Sequence, residues 1–119
     1  MAKYVDGFVI PIPKGKLETY KLIARQAGKI WKKYGALEYR ECVGEDMKVK
    51  FGLPFPALAK TKPSETVVFS WIVYKSRAHR DKVNALVMKD PVISKMMQDP
   101  QCFDCKRMAY GGFEVLVDL

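Results

Sequence analysis

The chain has 119 residues, 49% of them hydrophobic and 29% charged, with 21 Lys+Arg against 13 Asp+Glu. That length suits a single domain, residues 1–119, around one core, and the apolar runs, Val67 to Tyr74 among the longest, fall far short of the ~20 residues that cross a bilayer. No signal peptide is read at the start, and Cys42, Cys102 and Cys105 are an odd set, so reduced thiols in a cytoplasmic protein are expected rather than a disulfide framework.

Residues 4–12 alternate, with Tyr4, Asp6, Phe8, Ile10 and Ile12 on one side and Val5, Gly7, Val9 and Pro11 on the other, which predicts a strand ended by Pro11 and Pro13. From Leu17 the spacing changes to three and four. Leu17, Tyr20, Ala24, Ala27, Trp31 and Tyr34 then share a helical stripe, and Gly35 sits where a left-handed cap is wanted. Lys21, Arg25 and Lys29 follow at steps of four on the face expected to point away from that stripe, with Lys32 and Lys33 beyond.

Leu37 to Val43 reads as a second strand with mixed faces, ended by Gly44-Glu45-Asp46. The following connection, 47–65, is too apolar for a disordered linker, with Phe51, Leu53, Phe55 and Leu58, and a helical turn is expected near Pro56 to Lys60. Thr66 to Lys75 is a strand apolar on both faces. Ser76 is a good cap for a helix running to about Lys89, and Asp90-Pro91 opens a short helix bearing Val92, Ile93, Met96 and Met97. Met108 to Asp118 makes the last strand, where Gly111-Gly112 suggests a bulge or the close approach of another backbone.

The order β-α-β-β-α-β predicts an α+β fold of ferredoxin-like type, a four-stranded antiparallel sheet with helices on one face. Two helices blanket only one face, yet the third strand is apolar on both, so the other face requires cover. A second copy of the chain is the expected source, since two-fold homodimers are the commonest oligomers and a standard interface hides roughly 800 Å² per subunit. The competing arrangement is a monomer whose 47–65 segment covers that face.

Four stretches carry a resemblance: Tyr-Val-Asp-Gly-Phe at 4–8, Gly-Ala-Leu-Glu-Tyr-Arg-Glu-Cys at 35–42, Phe-Ser-Trp-Ile-Val-Tyr-Lys-Ser-Arg-Ala-His-Arg-Asp at 69–81, and Lys-Arg-Met-Ala-Tyr-Gly-Gly-Phe-Glu-Val-Leu at 106–116. In these the chain resembles the YbaA-like domain of unknown function 1428 family over nearly its whole length. The resemblance implies a dimeric α+β barrel in which two ferredoxin-like sheets pack face to face. It also implies a superfamily that includes cofactor-free monooxygenases, haem-degrading enzymes and stress-response proteins, among which fold alone does not choose.

Candidate chemistry is sparse. Cys102 and Cys105 have the spacing of a metal knuckle or redox pair, but a structural zinc needs four ligands and only Cys42 and His79 remain, so no metal is expected. His79 falls on the inward stripe of the second helix with Val83 and Leu86, where a general base is conceivable and a hydrogen-bonded boundary histidine is the commoner case. Asp6 interrupts an apolar strand face, and Arg40, Glu41 and Glu114 lie in other strands, so a polar cluster walled by Trp71 and Tyr110 is a candidate ligand site. An Asp6–Arg40 ion pair beside ordinary core aromatics is the structural alternative.

No Gly-rich phosphate loop, nucleophile elbow or metal set is present, so no cofactor is expected. The expectation is a protein of unknown biochemical function, a homodimer binding a small organic ligand. A cofactor-free monooxygenase-like enzyme and a basic nucleic-acid-associated protein are the alternatives, although no nucleic-acid motif accompanies the lysines.

Overall fold

The computed structural model describes residues 2–98 and 106–119. Strand β1 (Tyr4–Pro13) runs through a 3-10 turn, Lys14–Lys16, into helix α1 (Leu17–Lys33), and β2 (Glu38–Val43) returns beside it. A one-turn helix α2 (Phe55–Leu58) interrupts the long connection to β3 (Glu65–Tyr74). Helices α3 (Arg77–Met88) and α4 (Pro91–Gln98) follow, and β4 (Ala109–Glu114) closes the sheet. The strands lie in the order β2-β3-β1-β4, every neighbouring pair antiparallel, which is the expected ferredoxin-like α+β arrangement.

Details of the first and last strands differ from the expectation, and β4 stops at Glu114 rather than running to Asp118. Pro11 does not end β1 but lies within it, opposite Val67 of β3; the strand ends at Pro13, its last residue, opposite Glu65. β4 pairs only with Tyr4 to Val9, so beyond Val9 β1 has an open edge, where a missing N–H disrupts no ladder. The register from Ala109 to Glu114 is continuous, so Gly111 and Gly112 form no bulge. What Gly112 accommodates is a side chain: a Cβ there would collide with the ring and hydroxyl of Tyr4.

The helix ends follow the sequence closely. Gly35, at φ 117°, donates its N–H to Lys32 O, and Ala36 N–H reaches Trp31 O, the paired closure that a left-handed glycine permits. Ser76 Oγ accepts from His79 N–H at 3.2 Å to start α3, and Asp90 Oδ1 accepts from Val92 N–H at 2.9 Å to start α4.

The pleat sorts side chains between two faces. Toward the helices point Phe8, Ile10 and Ile12 of β1 and Val68, Ile72 and Tyr74 of β3. They pack with Tyr20, Ala24 and Ile30 of α1, Val83 and Val87 of α3, and Ile93 of α4. Leu86, expected on the inward stripe of α3, is instead exposed. The other face carries Val5, Gly7 and Val9, Phe69, Trp71 and Val73, Arg40, and Phe113. The 47–64 connection covers one end of it, where Phe55 packs on Phe69 at 6.0 Å and Val67 is buried, and leaves the β4 side open: Phe113 is 61% exposed.

Candidate functional site

Helix α1 presents two adjacent rows at steps of four, Tyr20-Ala24-Gly28 and Lys21-Arg25-Lys29. A cleft of about 750 Å³ opens between this helix and β2. Tyr20, Ala24, Gly28, Tyr39, Glu41 and Val68 line its interior, while Lys21, Arg25, Lys29 and Lys32 stand along its α1 side. The basic row, exposed as expected, also borders this cleft.

The cleft floor is built by three residues. Tyr39 and Glu41, two apart on β2, project from the same strand face, and Tyr39 OH donates to Glu41 Oε2 at 2.7 Å. From α1, Tyr20 OH donates to Glu41 Oε1 at 2.8 Å. The Tyr39 hydroxyl is pushed above the ordinary tyrosine range, first by burial, then by the Glu41 charge and the hydrogen bond to it, so it remains a donor. Gly28 makes room for the ring: a Cβ there would stand 2.6 Å from Tyr39 Cδ1. Among the described residues, Lys21, Arg25 and Lys29 have no ion-pair partner, whereas Lys32 Nζ is held by Leu37 O at 2.7 Å.

The residues singled out in the sequence do not converge. Glu41 lies in the cleft. Tyr110 is on the same sheet face but two strands beyond β3, stacked on Phe8 at 5.8 Å and 11°. Trp71 and Arg40, directly opposite each other in the register, occupy the other face. No chamber walled jointly by Trp71 and Tyr110 forms, because the sheet separates them.

Asp6 is buried, and its partner is Arg80 of α3, not Arg40: Arg80 Nη1 donates to Asp6 Oδ1 at 3.1 Å and the guanidinium covers the Tyr4 ring at 4.8 Å. Arg80 Nε also lies 3.0 Å from Asp81 Oδ1, an ion pair by distance without hydrogen-bond alignment. Burial raises the Asp6 carboxyl above its usual range, with Arg80 pulling the other way. Nearby, Trp31 Nε1 and Tyr74 OH both donate to Asn84 Oδ1, at 3.0 and 3.2 Å.

His79 is only partly exposed. Its Nδ1 accepts from Lys75 N–H at 3.0 Å and its ring meets Tyr74 edge-on at 6.1 Å. It braces the start of α3 and lies outside the cleft lining. Cys42 is an exposed thiol beside the cleft; Cys102 and Cys105 lie outside the described residues. Among the described residues no three His, Cys, Asp or Glu side chains gather as a metal site, and no helix is long and apolar enough to cross a membrane.

Tyr20, Tyr39 and Gly28 were not legible as site residues, because Tyr20 fits an apolar stripe and Tyr39 an ordinary strand. The available signals were the Tyr-x-Glu spacing at 39–41 and a glycine inside a helix, which marks close approach.

The strand order and the helix-covered face place the protein among ferredoxin-like α+β folds. Its shape matches a dimeric ferredoxin-like protein from an uncultured marine organism over 100% of both chains, with a TM-score of 0.64 and 13% identity. It also matches a putative antibiotic biosynthesis monooxygenase from Bacillus cereus, covering 100% of this chain and 98% of that one, with a TM-score of 0.54 and 11% identity. Residues 3–105 match the family described as "Protein of unknown function (DUF1428)", and the chain belongs to that family. It is 41% identical over 116 residues to the uncharacterized protein YbaA of Escherichia coli K12, with 98% of each chain covered, and equally to YbaA of Shigella flexneri.

Proposed function

We propose that this protein is a cytoplasmic homodimer that binds a small organic molecule in the cleft between α1 and β2. The observation that carries the ligand site is the cleft itself. It combines about 750 Å³ of concave space, an interior with aromatic and aliphatic walls, and convergent polar groups at its floor. Thermal stabilisation of the purified protein by members of a small-molecule library tests it. Compounds that raise the melting temperature must shift amide resonances of Ala24, Gly28 and Tyr39; hits that shift only residues elsewhere refute the site.

Dimerisation is supported by the open sheet face. Phe69, Trp71 and Phe113 form an apolar surface there, Phe51 of the 47–64 connection is 95% exposed, and Leu116 after β4 is equally bare. A second copy shielding these groups gains roughly 25 cal/mol per Å² of apolar surface hidden, against the lost freedom of one subunit. The monomer arrangement is disfavoured because α2 reaches only the Val67 end. Light scattering of the unaltered protein is expected to give twice 13.6 kDa, and Phe69→Glu is expected to give one chain per particle. A well-folded monomer before substitution refutes the dimer.

A second reading, oxidation of the bound molecule without a cofactor, is favoured by Glu41, a carboxylate inside the cleft able to take a proton from an acidic substrate. Oxygen consumption dependent on a cleft ligand and lost in Glu41→Gln would move the function from binding to catalysis.

A further inference from the structure

We infer that the α1–β2 cleft takes an organic acid with an apolar or aromatic body and a hydrogen-bond donor, O–H or N–H, at the end remote from its acid group. This rests on the cleft being the ligand site and deepens that reading by assigning the chemistry at each end.

The floor is an acceptor. Both tyrosine hydroxyl protons are already directed at Glu41, one to each carboxylate oxygen. Tyr39 is held in its protonated form by burial and by the Glu41 charge, so its proton stays on that bond. A carboxylate offers only acceptor sites, about two per oxygen, and one tyrosine bond per oxygen leaves capacity for a further donor. A ligand presenting a second carboxylate or an ether to this floor meets like charge or acceptor against acceptor.

The α1 side is cationic. Lys21, Arg25 and Lys29 lack an ion-pair partner among the described residues and stand one residue along from the row that lines the interior. Glu18 adds one negative charge at the Leu17 end, and the lining as a whole stays net positive. The lining also includes Ala24, Gly28, Val43 and Val68, whose side chains offer apolar contact without hydrogen bonds. A molecule with acid at one end, donor at the other and an apolar middle satisfies all three zones together; a phosphodiester polymer satisfies only the cations.

The test uses four probes with one skeleton: hydroxyphenylpropanoate, its methoxy ether, unsubstituted phenylpropanoate, and the neutral hydroxyphenylpropanol. Binding to the intact homodimer is followed through amide shifts of Ala24, Gly28 and Val43. The hydroxy acid is expected to bind about tenfold or more tighter than the ether or the unsubstituted acid, the worth of one hydrogen bond to a charged acceptor. It is also expected to exceed the neutral alcohol by a margin that shrinks with salt and disappears in Lys21→Gln/Arg25→Gln. Glu41→Gln is expected to abolish the preference for hydroxyl over methoxy while leaving the acid's advantage over the alcohol.

Equal binding of hydroxy acid and ether to the unaltered protein overturns the acceptor floor. Equal binding of acid and alcohol overturns the cationic side. In both cases the cleft survives as a ligand site. Failure of all four probes to shift any cleft resonance removes the cleft, and this inference with it. The comparison within the unaltered protein decides the matter even if a variant folds poorly.

Discussion

Two polar clusters lie on the helix-covered face of one sheet, and they end up with opposite characters. Around Asp6 the polar atoms, Arg80 Nε excepted, answer one another: Arg80 on Asp6 and Tyr4, Trp31 and Tyr74 on Asn84. Around Glu41, the tyrosines bind the carboxylate but Lys21, Arg25 and Lys29 have no ion-pair partner among the described residues, and the group opens onto a cleft. The difference is one of position. β1 and β3 are central strands covered by α3, where any unanswered polar atom is costly. β2 is an edge strand, and the cleft to α1 opens beside it. A buried acid in a strand therefore does not mark a site; an acid beside unfilled space and unpaired charge does.

The largest expected break in this contrast comes from Arg80→Ala, which leaves Asp6 buried without its cation. Its unfolding free energy in urea should fall by about 3 kcal/mol, while the affinity of cleft ligands for the folded protein stays unchanged. A fall in cleft affinity would show that the clusters are coupled.

The Glu65–Arg107 clasp extends the closed class. The guanidinium forks onto both carboxylate oxygens at 2.8 and 2.7 Å and Lys62 N–H adds a third bond, which lowers the Glu65 carboxyl from 4.5 to about 2. A lowered folded-state value means stability present above pH 4.5 and lost as pH falls toward 2. Glu65→Gln should cost about 2 kcal/mol at neutral pH and flatten that acid limb in denaturation curves.

Gly28→Ala sharpens the contrast from the open side. The added methyl must displace the Tyr39 ring, and overpacking of about 1–3 kcal/mol is partly offset by alanine's better helix propensity of about 1 kcal/mol. A net loss near 1 kcal/mol by thermal melting should accompany loss of cleft binding. The smallest effect on stability is expected for Lys29→Gln, within about 0.5 kcal/mol, although acid ligands should bind more weakly in isothermal titration.

Periodicity made most of the elements legible. Steps of two gave the strands, steps of three and four gave α1, and short-range chemistry at Gly35, Ser76 and Asp90 gave the helix ends, because caps and turns depend on neighbours in the chain. Proline at 11 misled, since its cost depends on whether a strand lies alongside, and strand order is not local.

The amino-acid sequence by itself determined which segments are helix or strand, which residues share a face, and that one sheet face would be left apolar. Only the tertiary structure decided that Asp6 meets Arg80, 74 residues away, and that Trp71 and Tyr110 fall on opposite sides of the sheet. It also decided that Tyr20 of α1 and Tyr39 of β2 close on one carboxylate beside a cleft. The physical reason is that faces follow from local dihedral geometry, whereas partners across a core follow from strand order and from the volumes that packing leaves unfilled.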